Sequence, residues 1–147
     1  MKLKRIGIAI LLGFLILVPG AWVAVTKTDA HKYVDISNVV KEAFVTDKGF
    51  SDELSKHITK EVFNKTNIYN AYPFNSPEFE KPFKVDFSLR EVSQKKENDI
   101  IKVDMIYSVM IHDSNNKTVG GSKDIPITFT VQEVGSGWII TNKEEQP

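Results

Sequence analysis

The chain of 147 residues contains no cysteine. Disulfide bonds and thiolate zinc sites are therefore excluded, and so is a lipid-modified cysteine at a processing site. A folded domain of this chain must draw its stability from its core alone. The three histidines, His31, His57 and His112, are not at metal-ligand spacing. The sequence accordingly predicts no metal ion and no cofactor.

The sequence also lacks an excess of charge, because 19 Lys and Arg residues balance 19 Asp and Glu residues. Three of the basic residues, Lys2, Lys4 and Arg5, precede the first apolar run, so the remainder has a net charge of −3. Nucleic-acid-binding proteins usually present a strongly basic face. The composition therefore argues against a nucleic-acid partner.

What the chain does contain is an apolar run from Ile6 to Thr26, 21 residues without a charged side chain. As a helix this run would span about 30 Å, the thickness of a bilayer's hydrocarbon core. We therefore expect residues 1–27 to form a membrane anchor whose partner is the lipid bilayer. The basic residues before it favour the cytoplasmic side, which puts everything after Lys27 outside the cytoplasm.

A second interpretation of the run is a secretory signal peptide, since Pro19 and Gly20 could end its apolar core. The residues before Ala24 and Ala30 do not form a good small-x-small cleavage site, and Trp22 suits the membrane–water boundary. We expect a single-pass protein of the cell membrane with its C-terminal domain outside. The alternative is a protein secreted after cleavage.

The remainder has the size of one domain, with residues 28–34 as a polar connector and residues 35–147 as an extracytoplasmic α+β domain. Asp35 is placed to cap a first helix whose apolar residues recur at helical spacing. Gly49 is placed to end that helix, and Ser51 is placed to cap a second one over residues 51–65. The first helix has the apolar stripe Ile36, Val39, Val40, Ala43 and Phe44, and the second has Leu54, Ile58 and Val62.

Residues 67–82 combine three prolines with several aromatic residues and are predicted to form a crossing loop. One interpretation is that Tyr69, Tyr72 and Phe74 cover the open edge of the core. The other is that they form an exposed patch or the lip of a pocket for a partner.

After the loop the apolar period changes to two, which predicts a meander of four antiparallel strands. The strands are expected at residues 83–92, 100–113, 125–134 and 138–140, with polar turns at 93–99 and 113–117, a bulge at Gly120 and Gly121, and a hairpin at 135–137. One sheet face is expected to pack on the helices, with Val85, Phe87, Leu89, Ile101, Val103, Met105, Tyr107, Val109, Ile111, Ile127, Phe129 and Val131 pointing inward.

The element order and the closing sequence Gly-Ser-Gly-Trp-Ile-Ile at 135–140 resemble the cystatin-like and NTF2-like folds between Asp35 and Lys143. This resemblance implies two helices packed on a curved four-stranded antiparallel sheet, in a cone. Membrane-anchored relatives of that superfamily include the VirB8-like and TcpC-like scaffold domains of conjugation machinery. The resemblance carries over no catalytic residue, because the same fold serves enzymes and non-enzymes.

Three functions are compatible with these patterns. The first is a membrane-tethered interaction or scaffold domain with a protein partner at the cell surface, using the outer sheet face (Asp104, Ser108, Thr128 and Thr130) or the aromatic loop. The second is a module that binds a small apolar ligand in the cone interior, with candidate contacts at Tyr69, Tyr72, Phe74, Tyr107 and Trp138. The third is a hydrolase or isomerase, which is disfavoured because Tyr107 is the one inward residue with a polar group. No catalytic residue is predicted, and no pattern indicates an oligomeric state.

Overall fold

The computed structural model describes residues 32–146, which fold into four short helices and four long strands. The helices are α1 (Ser37–Val45), α2 (Asp52–Ser55), α3 (Lys60–Thr66) and α4 (Ile68–Ala71). The strands are β1 (Lys84–Glu97), β2 (Ile100–His112), β3 (Thr118–Val134) and β4 (Gly137–Glu145). They form one antiparallel sheet in the order β1-β2-β3-β4. The predicted α+β class and four-stranded meander are confirmed at this level.

The inner sheet face and the helices enclose a dry core. Nine of the predicted inward residues are buried, namely Ile101, Val103, Met105, Tyr107, Val109, Ile111, Ile127, Phe129 and Val131. The three on β1, Val85, Phe87 and Leu89, are partly buried and pack against that core. The alternation of the sequence therefore assigned the strand faces correctly.

The prediction of one helix over residues 51–65 is wrong, because α2 and α3 are separated at Ile58. There the backbone pairs with β4: Ile140 N donates to His57 O at 2.8 Å, and Thr59 N donates to Ile140 O at 3.0 Å. These bonds satisfy part of the exposed edge of β4 and replace helical bonds that the same groups would make. Thr59 then caps α3 by accepting from Val62 N at 3.4 Å.

Further boundaries differ from the prediction, including the start of β3, which is Thr118 instead of residue 125, and the start of α1, where Ile36 instead of Asp35 is the N-cap. β1 runs through the predicted turn at 93–99 as far as Glu97, and the connection to β2 is the two-residue turn Asn98–Asp99. Asn98 has a φ of 55°, a left-handed conformation that asparagine tolerates in such turns. α4 lies inside the predicted loop, and β4 continues to Glu145 instead of ending at Ile140.

Asn67 explains why α4 forms. Its side chain accepts from Tyr69 N at 3.1 Å, which caps the helix. The same buried side chain donates to Ala43 O at 3.0 Å and to Thr46 O at 2.9 Å. One asparagine thus starts α4 and satisfies carbonyl groups at the end of α1.

The predicted membrane anchor, residues 1–27, lies outside the described residues. Between residues 32 and 146, no helix has both the length and the apolar character needed to cross a membrane.

Candidate functional site

The aromatic loop is folded onto the core. Phe74 is buried, Tyr69 stacks on it with ring centroids 4.2 Å apart, and Phe83 meets Phe74 edge-on at 4.9 Å. The loop therefore covers an edge of the core, the first of the two interpretations. Tyr72 differs from its neighbours, because it lines a cleft.

This tyrosine cleft lies between α3, α4 and the sheet and has a volume of about 520 Å³. It brings together two of the predicted contact residues, Tyr72 and Tyr107, which are far apart in the sequence. The lining residues are Phe44, Lys65, Thr66, Ile68, Ala71, Tyr72, Tyr107, Val109, Ser122, Lys143 and Glu145. Its lining is mixed: apolar side chains lie beside polar groups that come from α3, the end of α4 and strands β2, β3 and β4.

The polar groups of the cleft are joined by hydrogen bonds. The hydroxyl groups of Tyr72 and Ser122 lie 2.9 Å apart, and Tyr107 donates its hydroxyl to Glu145 Oε1 at 3.2 Å. Lys143 Nζ contacts the same carboxylate oxygen at 2.8 Å and donates to Lys65 O at 2.6 Å. The side chain of Lys143 is only 10% exposed, so this ion pair is shielded from solvent on the lysine side.

Tyr107 is held in its protonated form. Burial raises the pKa of its phenol, and the nearby negative charge of Glu145 raises that pKa further. A phenol with a raised pKa is a poor base at neutral pH and a dependable hydrogen-bond donor. Tyr107 is thus suited to donating a hydrogen bond and poorly suited to removing a proton from a ligand.

Two β-bulges place the polar side chains in the cleft. Tyr107 pairs with Ile125 whereas Val109 pairs with Ser122, so β3 carries an extra residue and Ser122 turns inward. The extra residue is accommodated at Asp124, whose φ is 53°.

A second bulge lies on β4. There Val131 pairs with Ile140 and Thr130 with Asn142, which turns Lys143 and Glu145 inward. The sequence did not point to Ser122, Lys143 or Glu145, because all three lie outside the predicted strands 125–134 and 138–140 and inside the longer β3 and β4 of the structure. The glycines at 120 and 121 were the available signal for the first bulge only.

Trp138, the remaining predicted contact, lies elsewhere. It lines a second groove of about 570 Å³, together with Tyr33, Asp99 and Glu133. Its indole packs against the ring of His57 at a tilt of 37°, with centroids 4.7 Å apart, and His57 Nδ1 is buried without a hydrogen-bond partner among residues 32–146. The structure therefore separates the expected interior site into two places on the domain.

Within residues 32–146 no group of three or more His, Asp or Glu side chains is arranged to hold a metal ion. Comparison with known proteins adds no further identification, since neither a family model nor a curated protein matches the chain.

Proposed function

We propose that this protein is a ligand-binding domain, held outside the cytoplasm by its N-terminal apolar segment, and that the tyrosine cleft binds a small, largely apolar molecule with a hydroxyl or carbonyl group. The observation that carries the proposal is the convergence of several polar side chains with the apolar side chains of Phe44, Ile68 and Val109 in one cleft of about 520 Å³. Small-molecule sites typically have volumes of about 300–1,000 Å³ and combine apolar walls with a few placed polar groups.

The apolar part of the ligand is expected to lie against Phe44, Ile68 and Val109. Phe44 and Tyr107 pack with ring centroids 4.7 Å apart, and the Tyr72 ring is held against the backbone of Gly120. These contacts restrain the walls before a ligand arrives, which lowers the entropy lost on binding.

The charges of the cleft favour an uncharged ligand. Lys143 and Glu145 neutralise each other at 2.8 Å, and a charged ligand would have to compete with this pair. The hydroxyl groups of Tyr72 and Ser122 bond to each other, and each can donate or accept. Two hydroxyl groups side by side can exchange their mutual bond for bonds to a ligand hydroxyl or carbonyl.

The outer sheet face, which was suggested as a surface for a protein partner, has few polar groups left to bond to a partner. On the outer sheet face, Asp104 accepts from Ser93 at 2.8 Å and from Thr128 at 2.7 Å, and Lys102 donates to Thr130 at 2.7 Å. These polar groups are already satisfied within the sheet, so a partner would gain little by contacting them. The scaffold hypothesis stays a prediction from the sequence. The resemblance to the NTF2-like cone also stays a prediction, and a cleft between helices and sheet is compatible with that fold.

An enzymatic role has weaker support from the cleft. The Ser122 hydroxyl group could serve as a nucleophile, but its hydrogen-bond partner is Tyr72, and no histidine is among the residues that line the cleft. The raised pKa of Tyr107 favours hydrogen-bond donation over proton removal.

The proposal is tested by filling the cleft. Ala71 is exposed on α4 and lines the cleft, whereas its neighbour Asn70 is exposed and does not. The full chain in lipid nanodiscs is screened with water-soluble fragments by thermal unfolding. A fragment present at ten times its Kd should stabilise the domain by about 1.4 kcal/mol and raise Tm by several degrees.

Such fragments should lose their effect on the Ala71→Trp variant and keep it on the matched Asn70→Trp variant. If no fragment raises Tm, or if the fragments that do are insensitive to Ala71→Trp, the cleft is not the binding site. The topology is tested separately, since protease added to intact cells should digest the domain and spare the first residues of the chain.

A further inference from the structure

One end of the sheet carries exposed apolar side chains where polar turns would be expected. We call this end of the sheet the hairpin end. It consists of the turns at 98–99 and 135–136 together with residues 32–34. Ile100 follows the first turn and is 43% exposed, and Val134 precedes the second and is 57% exposed. Tyr33 is 43% exposed beside them, across the groove that Trp138 lines. The two turns are adjacent, because Glu133 N donates to Asp99 O at 3.0 Å.

The described chain begins at this same end. Gln94 holds the entering backbone, accepting from Tyr33 N at 2.8 Å and donating to Val34 O at 2.6 Å. The chain then runs away from the hairpin end, since Phe44 at the far end of α1 contacts Phe87 and Tyr107. The direction of the chain thus places Lys32 on the side of the two turns.

The length of the preceding sequence limits the distance to the lipid. The apolar run ends at Thr26, six residues before Lys32. Six extended residues reach about 20 Å at most. If the run spans the bilayer, the hairpin end is the part of the domain that lies closest to the membrane surface.

We propose that the hairpin end rests on the bilayer surface, with Ile100, Val134 and the aromatic residues Tyr33 and Trp138 at the level of the lipid headgroups. This inference rests on the membrane anchor proposed above. Aromatic residues with a polar tip and small apolar side chains suit this boundary. Beside the turns Lys95 pairs with Glu97 and Lys96 with Glu133, each at 2.6 Å, and Lys32 contacts Asp35 at 3.2 Å, so the hairpin end presents no basic cluster. Docking is therefore driven by apolar contact, needs no anionic lipid and is insensitive to salt.

The absence of cysteine makes the test direct, because single cysteines can be labelled without background. Ser136 and Ser114 are exposed turn serines at opposite ends of the sheet. The variants Ser136→Cys and Ser114→Cys of the full chain are labelled with an environment-sensitive NBD dye. They are reconstituted in phosphatidylcholine vesicles, with or without nitroxide-labelled lipid, and floated on a density gradient.

The expected result is that the dye at position 136 emits at shorter wavelength and is quenched by the nitroxide lipid, whereas the dye at 114 is not. Adding Val134→Glu and Ile100→Glu to the Ser136→Cys chain should reduce the quenching while the chain still floats. Floating vesicles with no quenching at either position would overturn the docking and leave the anchor standing.

Equal quenching at both positions would also overturn it, because the domain would then lie on the lipid without a preferred end. A shift to shorter wavelength at 136 without quenching would mean that protein, such as a second copy, covers the hairpin end. A chain that does not float with the vesicles would overturn the anchor and, with it, this inference.

Discussion

The ring of Tyr72 lies directly against the backbone of Gly120, where a Cβ atom would come within 3.0 Å of two ring carbons. The first bulge of β3 turns Gly120 inward, opposite Ile111, so the glycine provides the space that the tyrosine occupies. One wall of the tyrosine cleft therefore depends on a residue that contributes no side chain.

Replacing Gly120 by alanine should displace the Tyr72 ring and break its hydrogen bond to Ser122. We expect a loss of about 1–3 kcal/mol in the free energy of unfolding, as for overpacking in a core. The measurement is urea unfolding of Gly120→Ala beside Gly137→Ala, whose added Cβ meets its nearest atom at an ordinary 3.8 Å. Equal stability of the two variants would show that the tyrosine ring is free to move.

Stability should fall at alkaline pH because of Tyr107. The pKa of its phenol is raised in the folded state by burial and by Glu145, so the folded protein keeps a proton that the unfolded chain loses above pH of about 10. The contribution of Tyr107 to the free energy of unfolding is complete below that pH and is lost above it. The free energy of unfolding then falls by up to about 1.4 kcal/mol per pH unit.

Unfolding measured between neutral and strongly alkaline pH should therefore show a shallower slope for Tyr107→Phe than for the unmodified chain. Tyr69→Phe is the control with a smaller expected effect, since burial and Asp47 raise the pKa of that phenol less. An unchanged slope in Tyr107→Phe would contradict the assignment.

Asp113 should make the turn between β2 and β3 sensitive to acid. Burial raises the pKa of its carboxyl group, but hydrogen bonds from the amides of Lys117, Glu80 and Asn115 outweigh burial and hold it below its ordinary value. The stabilisation is present above the unfolded-state pKa near 3.8 and is lost as the pH falls below it. Hydrogen exchange should show the three amides losing protection in Asp113→Ala, which removes both acceptor oxygens, and a domain whose exchange at these amides is unchanged would disprove the role.

The two faces of β3 should respond differently to a new charge. Phe129 is fully buried, so Phe129→Asp puts an unpaired carboxylate into the core and should prevent folding, at a cost of several kcal/mol. Thr130 is the outward neighbour and accepts from Lys102, so Thr130→Asp should change the free energy of unfolding by less than about 1 kcal/mol. Circular dichroism and thermal unfolding of the two variants decide the point, and similar losses in both would mean that the faces are misassigned.

The strands were predictable because one face of the sheet is buried against the helices and the other is not. An alternating pattern such as Val103, Met105 and Tyr107 leaves a strand one way to bury its apolar side chains, and the core follows from it. The break between α2 and α3 was not predictable, because the helical stripe of Leu54, Ile58 and Val62 is intact in the sequence. The partner that interrupts the helix, Ile140, lies more than eighty residues further along the chain.

The amino-acid sequence by itself determined the fold class, the strand faces and the neutral, cysteine-free composition of this protein, since each depends on local periodicity or on simple counts. The tertiary structure decided where the functional groups lie. Two bulges reverse the strand alternation and bring Ser122, Lys143 and Glu145 to Tyr72 and Tyr107. A shift of one residue in register exchanges the two faces of a strand, and pairing between distant strands sets that register.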